Sequence, residues 1–266
     1  VNGHIACDLA RRLESPDPFN QDDPKFAFSY CDNVRPVSEP YATVRRSEKA
    51  DQIMIQGAPE EGICDLRGVL KGFFAVERLE KTAEMDNRYQ TDDGTKCDAD
   101  KWMEIERLPD TLGVQLVRHY YDFEAKRMAL NTRGVVYPKE IDFRDPAWAR
   151  FLTPALVVDA HAQKRYRLAA VHLGYRREPG EDYIVWWGYI RAPACYRGGS
   201  KWYEVNDWRA LADYRTKGKP VSEETVMGHV HGGDDGTFCM KLYYRNAHAE
   251  SEEAKEEFGR LFFIST

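Results

Sequence analysis

The chain has 266 residues, 42% hydrophobic and 31% charged, enough to bury a substantial core in one large or two small domains. Its formal charge of -6 and the lack of a dominant Lys/Arg block argue against nucleic-acid binding, which relies on clustered cations. No apolar run approaches the roughly 20 residues that cross a bilayer, and Val1-Asn2-Gly3-His4 lacks the features of a secretion signal. The expectation is a protein of the cytoplasm or nucleus, with no nucleic-acid or membrane partner.

The six cysteines, Cys7, Cys31, Cys64, Cys97, Cys195 and Cys239, are widely spaced and form no Cys-x-x-Cys pair, so no zinc site and no cofactor is expected. A chain that opens on Val1 reads as a fragment or a processed product.

Residues 1 to 62 are polar and uneven, with the Pro- and Asp-rich stretch from Ser15 to Pro24 reading as a loop between strand-like pieces. Between Asp65 and Leu79, apolar residues at 66, 69, 70, 73, 74 and 76 are spaced nearer 3.6 than 2, which predicts an amphipathic helix with Asp65 as N-cap. Asp92-Asp93-Gly94 and Asp234-Asp235-Gly236 lack the rest of a calcium loop and read as turns. From residue 102 the texture becomes that of half-buried strands: 102–109, 112–121, 134–137, 166–173, 183–190, 202–205 and 239–244. Turn residues between them favour antiparallel pairing. Trp186 and Trp187 read as sheet core. Ser222 to Val226 predicts one further helical turn, and His229-Val230-His231 an exposed loop with no third metal ligand placed beside it. An acidic helix-like tail, 247–266, ends on Leu261-Phe262-Phe263-Ile264 and is expected to dock on the chain's own core or on a partner.

Several blocks recur in a meaningful order: Leu108-Pro109-Asp110-Thr111-Leu112 with Gln115-Leu116-Val117-Arg118, then Asn131-Thr132-Arg133 leading to Tyr137-Pro138. Tyr166 to His172 follows, then Gly180-Glu181-Asp182-Tyr183, Trp202-Tyr203-Glu204-Val205-Asn206-Asp207 and Met240 to Arg245. In this order they resemble the palm of the ubiquitin-specific protease family, cysteine-type deubiquitinases. Ala75 to Leu79 with Asn87-Arg88-Tyr89 is nearest the herpesvirus-associated branch. The resemblance runs from about residue 62 to 246. It implies an α+β, papain-like fold of palm and fingers, mainly antiparallel sheet with a few helices and no thumb. The implied divisions are fingers over 1–62, palm over 63–246 and the tail over 247–266.

Hydrolysis of an isopeptide bond by a cysteine needs a thiolate, a His that activates it and protonates the leaving amine, and an Asn or Asp that holds the imidazole. Carried over, the third member of the triad falls on Asn206 and the neighbouring acidic position on Asp207. The family's His falls on Asp182, whose carboxylate, with an ordinary pKa of about 3.9, is ionised at neutral pH and has no proton to give. His172, in the preceding segment, stands where family members often carry a non-catalytic His. The family's nucleophile block is missing. Cys7, ahead of the helix-like Asp8 to Leu13, comes nearest in kind, but its surroundings do not match and it reads as structural.

For ubiquitin binding the resemblance implies Glu77 and Tyr183 as contacts with the basic tail. The acidic residue expected before the aromatic at Phe73 is replaced by Gly72. Glu77 reads equally as an exposed helix charge. Three functions stay open: a non-catalytic module that binds ubiquitin, a ubiquitinated protein or the subunits of a larger assembly; the C-terminal part of an active deubiquitinase whose nucleophile lies upstream; or a scaffold without ubiquitin contact.

Overall fold

The structure is a computed structural model that describes residues 28–39, 41–50, 52–56, 64–175, 184–192, 201–206, 219–231 and 237–246. Eighteen strands and four helices of four to nine residues make it an α+β chain among these residues.

In chain order the strands are β1 (Phe28–Pro36), β2 (Val44–Ala50), β3 (Ile53–Gln56), β4 (Cys64–Asp65), β5 (Glu77–Leu79), β6 (Tyr89–Gln90), β7 (Lys96–Cys97), β8 (Ala99–Arg107) and β9 (Thr111–Val117). They continue with β10 (His119–Asp122), β11 (Arg127–Leu130), β12 (Val135–Val136), β13 (Glu140–Asp142), β14 (Arg165–Tyr175), β15 (Val185–Arg191), β16 (Trp202–Asn206), β17 (Lys219–Val221) and β18 (Thr237–Asn246). The helices are α1 (Leu66–Phe73), α2 (Pro146–Ala149), α3 (Pro154–Val158) and α4 (Glu223–His231).

The larger sheet runs β17-β16-β15-β14-β18-β9-β3, with β13 also paired to β14. Every pairing in it is antiparallel except β3 beside β9. The last strand among the described residues, β18, thus lies between β9 and β14. Alternation sorts β14 into two faces: Tyr166, Leu168, Val171 and Leu173 join the main apolar cluster, while Ala170, His172 and Gly174 lie at the intervening register positions. A shift in register between Leu168 and Ala170 allows both sets to stay in phase. On the cluster side, α4 contributes Val226, Met227 and Val230 and packs against β18.

The smaller sheet, β2-β1-β8-β5, is antiparallel throughout. It crosses the division expected at residue 62, since β1 and β2 come before it and β5 and β8 after. β3 also crosses it, to join the larger sheet. Hydrophobic and cross-strand contacts are indifferent to sequence position, so the two parts of the chain share their sheets. Arg35 lies 5.3 Å above the Trp102 ring and 3.3 Å from Asp100, fastening β1 to β8.

The helix predicted for 65–79 is shorter, with Asp65 accepting the Gly68 amide at 2.6 Å as its cap. It stops at Phe73 because residues 77–79 pair with 99–101, and that ladder outweighs local helical spacing. Conversely, the turn expected at 222–226 extends to nine residues, capped by the Ser222 hydroxyl, which accepts the Thr225 amide at 3.0 Å. His229 and His231 consequently lie in the last turn of α4 and not in an exposed loop. The two short helices α2 and α3 were not expected, although Asp145-Pro146 and Thr153-Pro154 are cap-then-proline starts.

Arg118 is 1% exposed at the end of β9. Its guanidinium donates to the carbonyls of Cys239 on β18 at 3.0 Å and of Arg133 at 2.6 Å, so the cation is buried on main-chain oxygens. Two glycines test the packing in opposite directions. A Cβ on Gly188 would strike the Val171 carbonyl oxygen across the ladder, whereas one on Gly228 would meet nothing within 4 Å. Gly188→Ala should therefore destabilise the fold by at least about 2 kcal/mol. In the helix interior, Gly228→Ala should stabilise it by about 0.5–1 kcal/mol. Urea unfolding of both variants checks the two signs.

Candidate functional site

Strand order brings the motif blocks together, although they are far apart in the chain. β9, β18, β14, β15 and β16, carrying blocks from 111–117 to 240–245, are successive neighbours. His172 sits near the middle of this group, opposite Gly188 on β15 and Lys241 on β18. It is 6% exposed, its ring centroid lies 5.2 Å from that of Trp186, and its Nδ1 has no hydrogen-bond partner among the described residues. Burial, with the Lys241 ammonium nearby, lowers its pKa to about 4. A histidine so placed is neutral at physiological pH and packed inside the sheet.

The described thiols are elsewhere. Cys239 lies on β18 opposite Leu173, two residues from Lys241, the partner of His172, and across a register shift that turns it into the main apolar cluster on the other side of the sheet. Its Sγ is 3.5 Å from the Lys241 carbonyl oxygen, and burial pushes its pKa up to about 12 despite the Arg118 cation. Such a thiol stays protonated and is a poor nucleophile. Cys31 is buried in β1, with Sγ 3.5 Å from Asn33 Oδ1, and burial raises its pKa too. Among the described residues, no histidine forms a hydrogen bond with a thiol.

The other imidazoles of this region have different partners. His229 Nδ1 is 2.7 Å from the Tyr189 hydroxyl, and the two rings stack with centroids 5.8 Å apart. His231 Nε2 is 3.4 Å from the Tyr137 carbonyl oxygen. The Tyr189–His229 pair was invisible in the sequence because it joins β15 to α4 across 40 residues, and no local pattern in either element points to the other. Among the described residues no three His, Cys, Asp or Glu side chains group as metal ligands. Trp186 and Trp187 are half-buried, the first against His172 and Phe238, the second against His229.

Asn206 is the last residue of β16 and pairs with Trp187. His172 is aligned with Gly188 and through it with Val205, so positions 172 and 206 are two strands apart and one register step out of line. Asp182, Tyr183, Asp207 and Cys7 lie outside the described residues, as do 234–236 and the tail. Glu77 is exposed and opens β5 at the edge of the smaller sheet, opposite Lys101, and so is not a helix charge. Lys101 Nζ is 3.5 Å from Asp32, which ties that cation to β1. Gly72 lies in the last turn of α1, with nothing within 4 Å of where a Cβ would stand. Asp92-Asp93-Gly94 is a turn between β6 and β7: Asp93 accepts the Thr95 amide at 2.9 Å and Gly94 has φ +87°.

The chain is thus an α+β protein of mainly antiparallel sheet, and no helix among the described residues is long and apolar enough to cross a membrane. Neither a scan of protein-family models nor a search of curated proteins gave a match.

His172 makes a pH prediction. Its pKa is below the ordinary 6.5 only in the folded state, so between pH 6.5 and about 4 the unfolded chain binds the extra proton. The stabilising effect is complete above pH 6.5 and is lost as pH falls toward 4, by about 3 kcal/mol in all. His172→Leu should flatten that part of the stability profile, as measured by urea unfolding from pH 7 to pH 4.5. An unchanged slope would contradict the buried, neutral imidazole.

Proposed function

We propose that the chain is a ubiquitin-specific-protease-like module that binds ubiquitin without cleaving it. The observation carrying this reading is the separation of imidazole and thiol. His172 is buried and neutral on one side of the sheet, and the nearest described cysteine, Cys239, is buried and protonated on the other. The ordered motif blocks supply the resemblance, and their side-by-side placement on β9, β18, β14, β15 and β16 is compatible with a palm. With Asp182 at the family's His position, the leaving amine has no proton donor.

Binding rests on carboxylates facing the basic ubiquitin tail. Glu77 is exposed for that role, and Tyr183 is the aromatic contact implied by the resemblance. Gly72 stands where an acidic partner is expected, and the space around it is open. The affinity of the natural chain should consequently be weak.

The purified chain should show no turnover of a ubiquitin C-terminal amide fluorogenic substrate and no labelling by a ubiquitin electrophile probe. Labelling at any cysteine overturns the non-catalytic reading. Gly72→Asp should tighten ubiquitin binding by about tenfold, through a charge-assisted bond to an Arg of the tail, as read by calorimetric titration. Glu77→Gln should weaken it. If ubiquitin produces no NMR shifts at millimolar concentration with either the natural chain or Gly72→Asp, the module has no ubiquitin function.

A further inference from the structure

Beyond that reading, and independent of it, a cationic pocket opens between α1 and the chain around α2. Its volume is about 400 Å³, and it is lined by Arg67, Lys71 and Arg150, with Asp65 and Phe151 also in the wall. Arg67 and Lys71 are four residues apart on α1 and so share one helical face. Arg150, the residue after α2, comes from a part of the sequence about eighty positions later and is held above the Phe151 ring at 5.9 Å.

The compensation of these charges is incomplete. Arg67 is 3.8 Å from Asp65, with both side chains about half exposed, and such a contact contributes little. Neither Lys71 nor Arg150 has a carboxylate partner among the described residues. Three cations against one carboxylate leave two positive charges converging on one cavity, in a chain whose overall charge is -6. The Gly68 amide at the start of α1 is already taken by Asp65, so an occupant would be held by side chains rather than by the helix end.

The geometry points to a binding pocket for a dianionic phosphoryl group, gripped by Arg67, Lys71 and Arg150. A doubly charged group balances the surplus of the lining, whereas a single carboxylate neutralises half of it. Arginine adds planar, two-pronged donation suited to phosphoryl oxygens. The group could reach the pocket as free phosphate or as part of a phosphorylated peptide, and the chemistry of recognition is the same.

Titration calorimetry on the full chain tests this, with inorganic phosphate as probe and sodium chloride added to hold ionic strength constant. Saturable binding is expected. It should weaken at least tenfold in a Lys71→Gln, Arg150→Gln double variant and in the single variant Arg67→Glu, with unfolding temperatures unchanged because all three side chains are exposed. A phosphoserine peptide that binds at least tenfold tighter than phosphate assigns the ligand to a modified protein; equal affinity assigns it to free phosphate. The pocket assignment is overturned if phosphate does no better than chloride, if both variants bind as the natural chain does, or if a peptide with Glu in place of phosphoserine binds as tightly.

Discussion

The structure depends on holding its last described strand in the middle of the larger sheet. β18 is separated from β9 by some 120 residues of sequence, yet the two are neighbours, and Arg118 joins them through the Cys239 carbonyl oxygen. The same guanidinium reaches the Arg133 carbonyl, which fixes the segment leading to β12. This buried cation, with no carboxylate beside it among the described residues, is stable here because main-chain oxygens accept its N–H groups. The Tyr244 hydroxyl donates to the Pro138 carbonyl at 3.0 Å and Tyr166 donates to that of Pro109, so polar side chains secure the loops around the same strand. With β18 in place, the blocks around residues 112, 170, 187, 203 and 242 become neighbouring strands of one sheet.

The placement of β18 also separates the described imidazole and thiol of the larger sheet. A strand presents alternate residues to opposite sides, and a second register shift between β14 and β18, between His172 and Leu173, puts Cys239 beside Leu173 on the cluster side and His172 on the other. Burial then drives both groups away from reactivity, lowering the imidazole and raising the thiol. A thiolate–imidazolium pair needs the two within hydrogen-bond reach, and the sheet stands between them. The pattern is that of two well-packed core residues.

The individual strands of the larger sheet were legible because alternation is a local signal. β8, β9, β14, β15, β16 and β18 all fall within a few residues of where the pattern put them. What local spacing could not reveal was competition. The apolar series from Leu66 to Val76 suits a helix throughout, but pairing of Glu77 to Leu79 with β8 claims its end. The sharing of both sheets across residue 62 was similarly hidden, since β1 finds its partner some seventy positions downstream. Of the site positions, His172 was legible as a strand residue, Glu77 was read within a helix and lies on a strand, and the grouping of Arg67, Lys71 and Arg150 arises only from tertiary contact. Proline after Asp145 and Thr153 was a usable sign of α2 and α3.

The most direct measurement is the pH dependence of alkylation at each of the six cysteines in the native chain, followed by peptide mass spectrometry. A chain without a catalytic pair should show no cysteine reacting faster than a free thiol below pH 7, with Cys239 protected until unfolding. Rapid alkylation of any cysteine that persists to pH 6 and disappears in His172→Leu would contradict it.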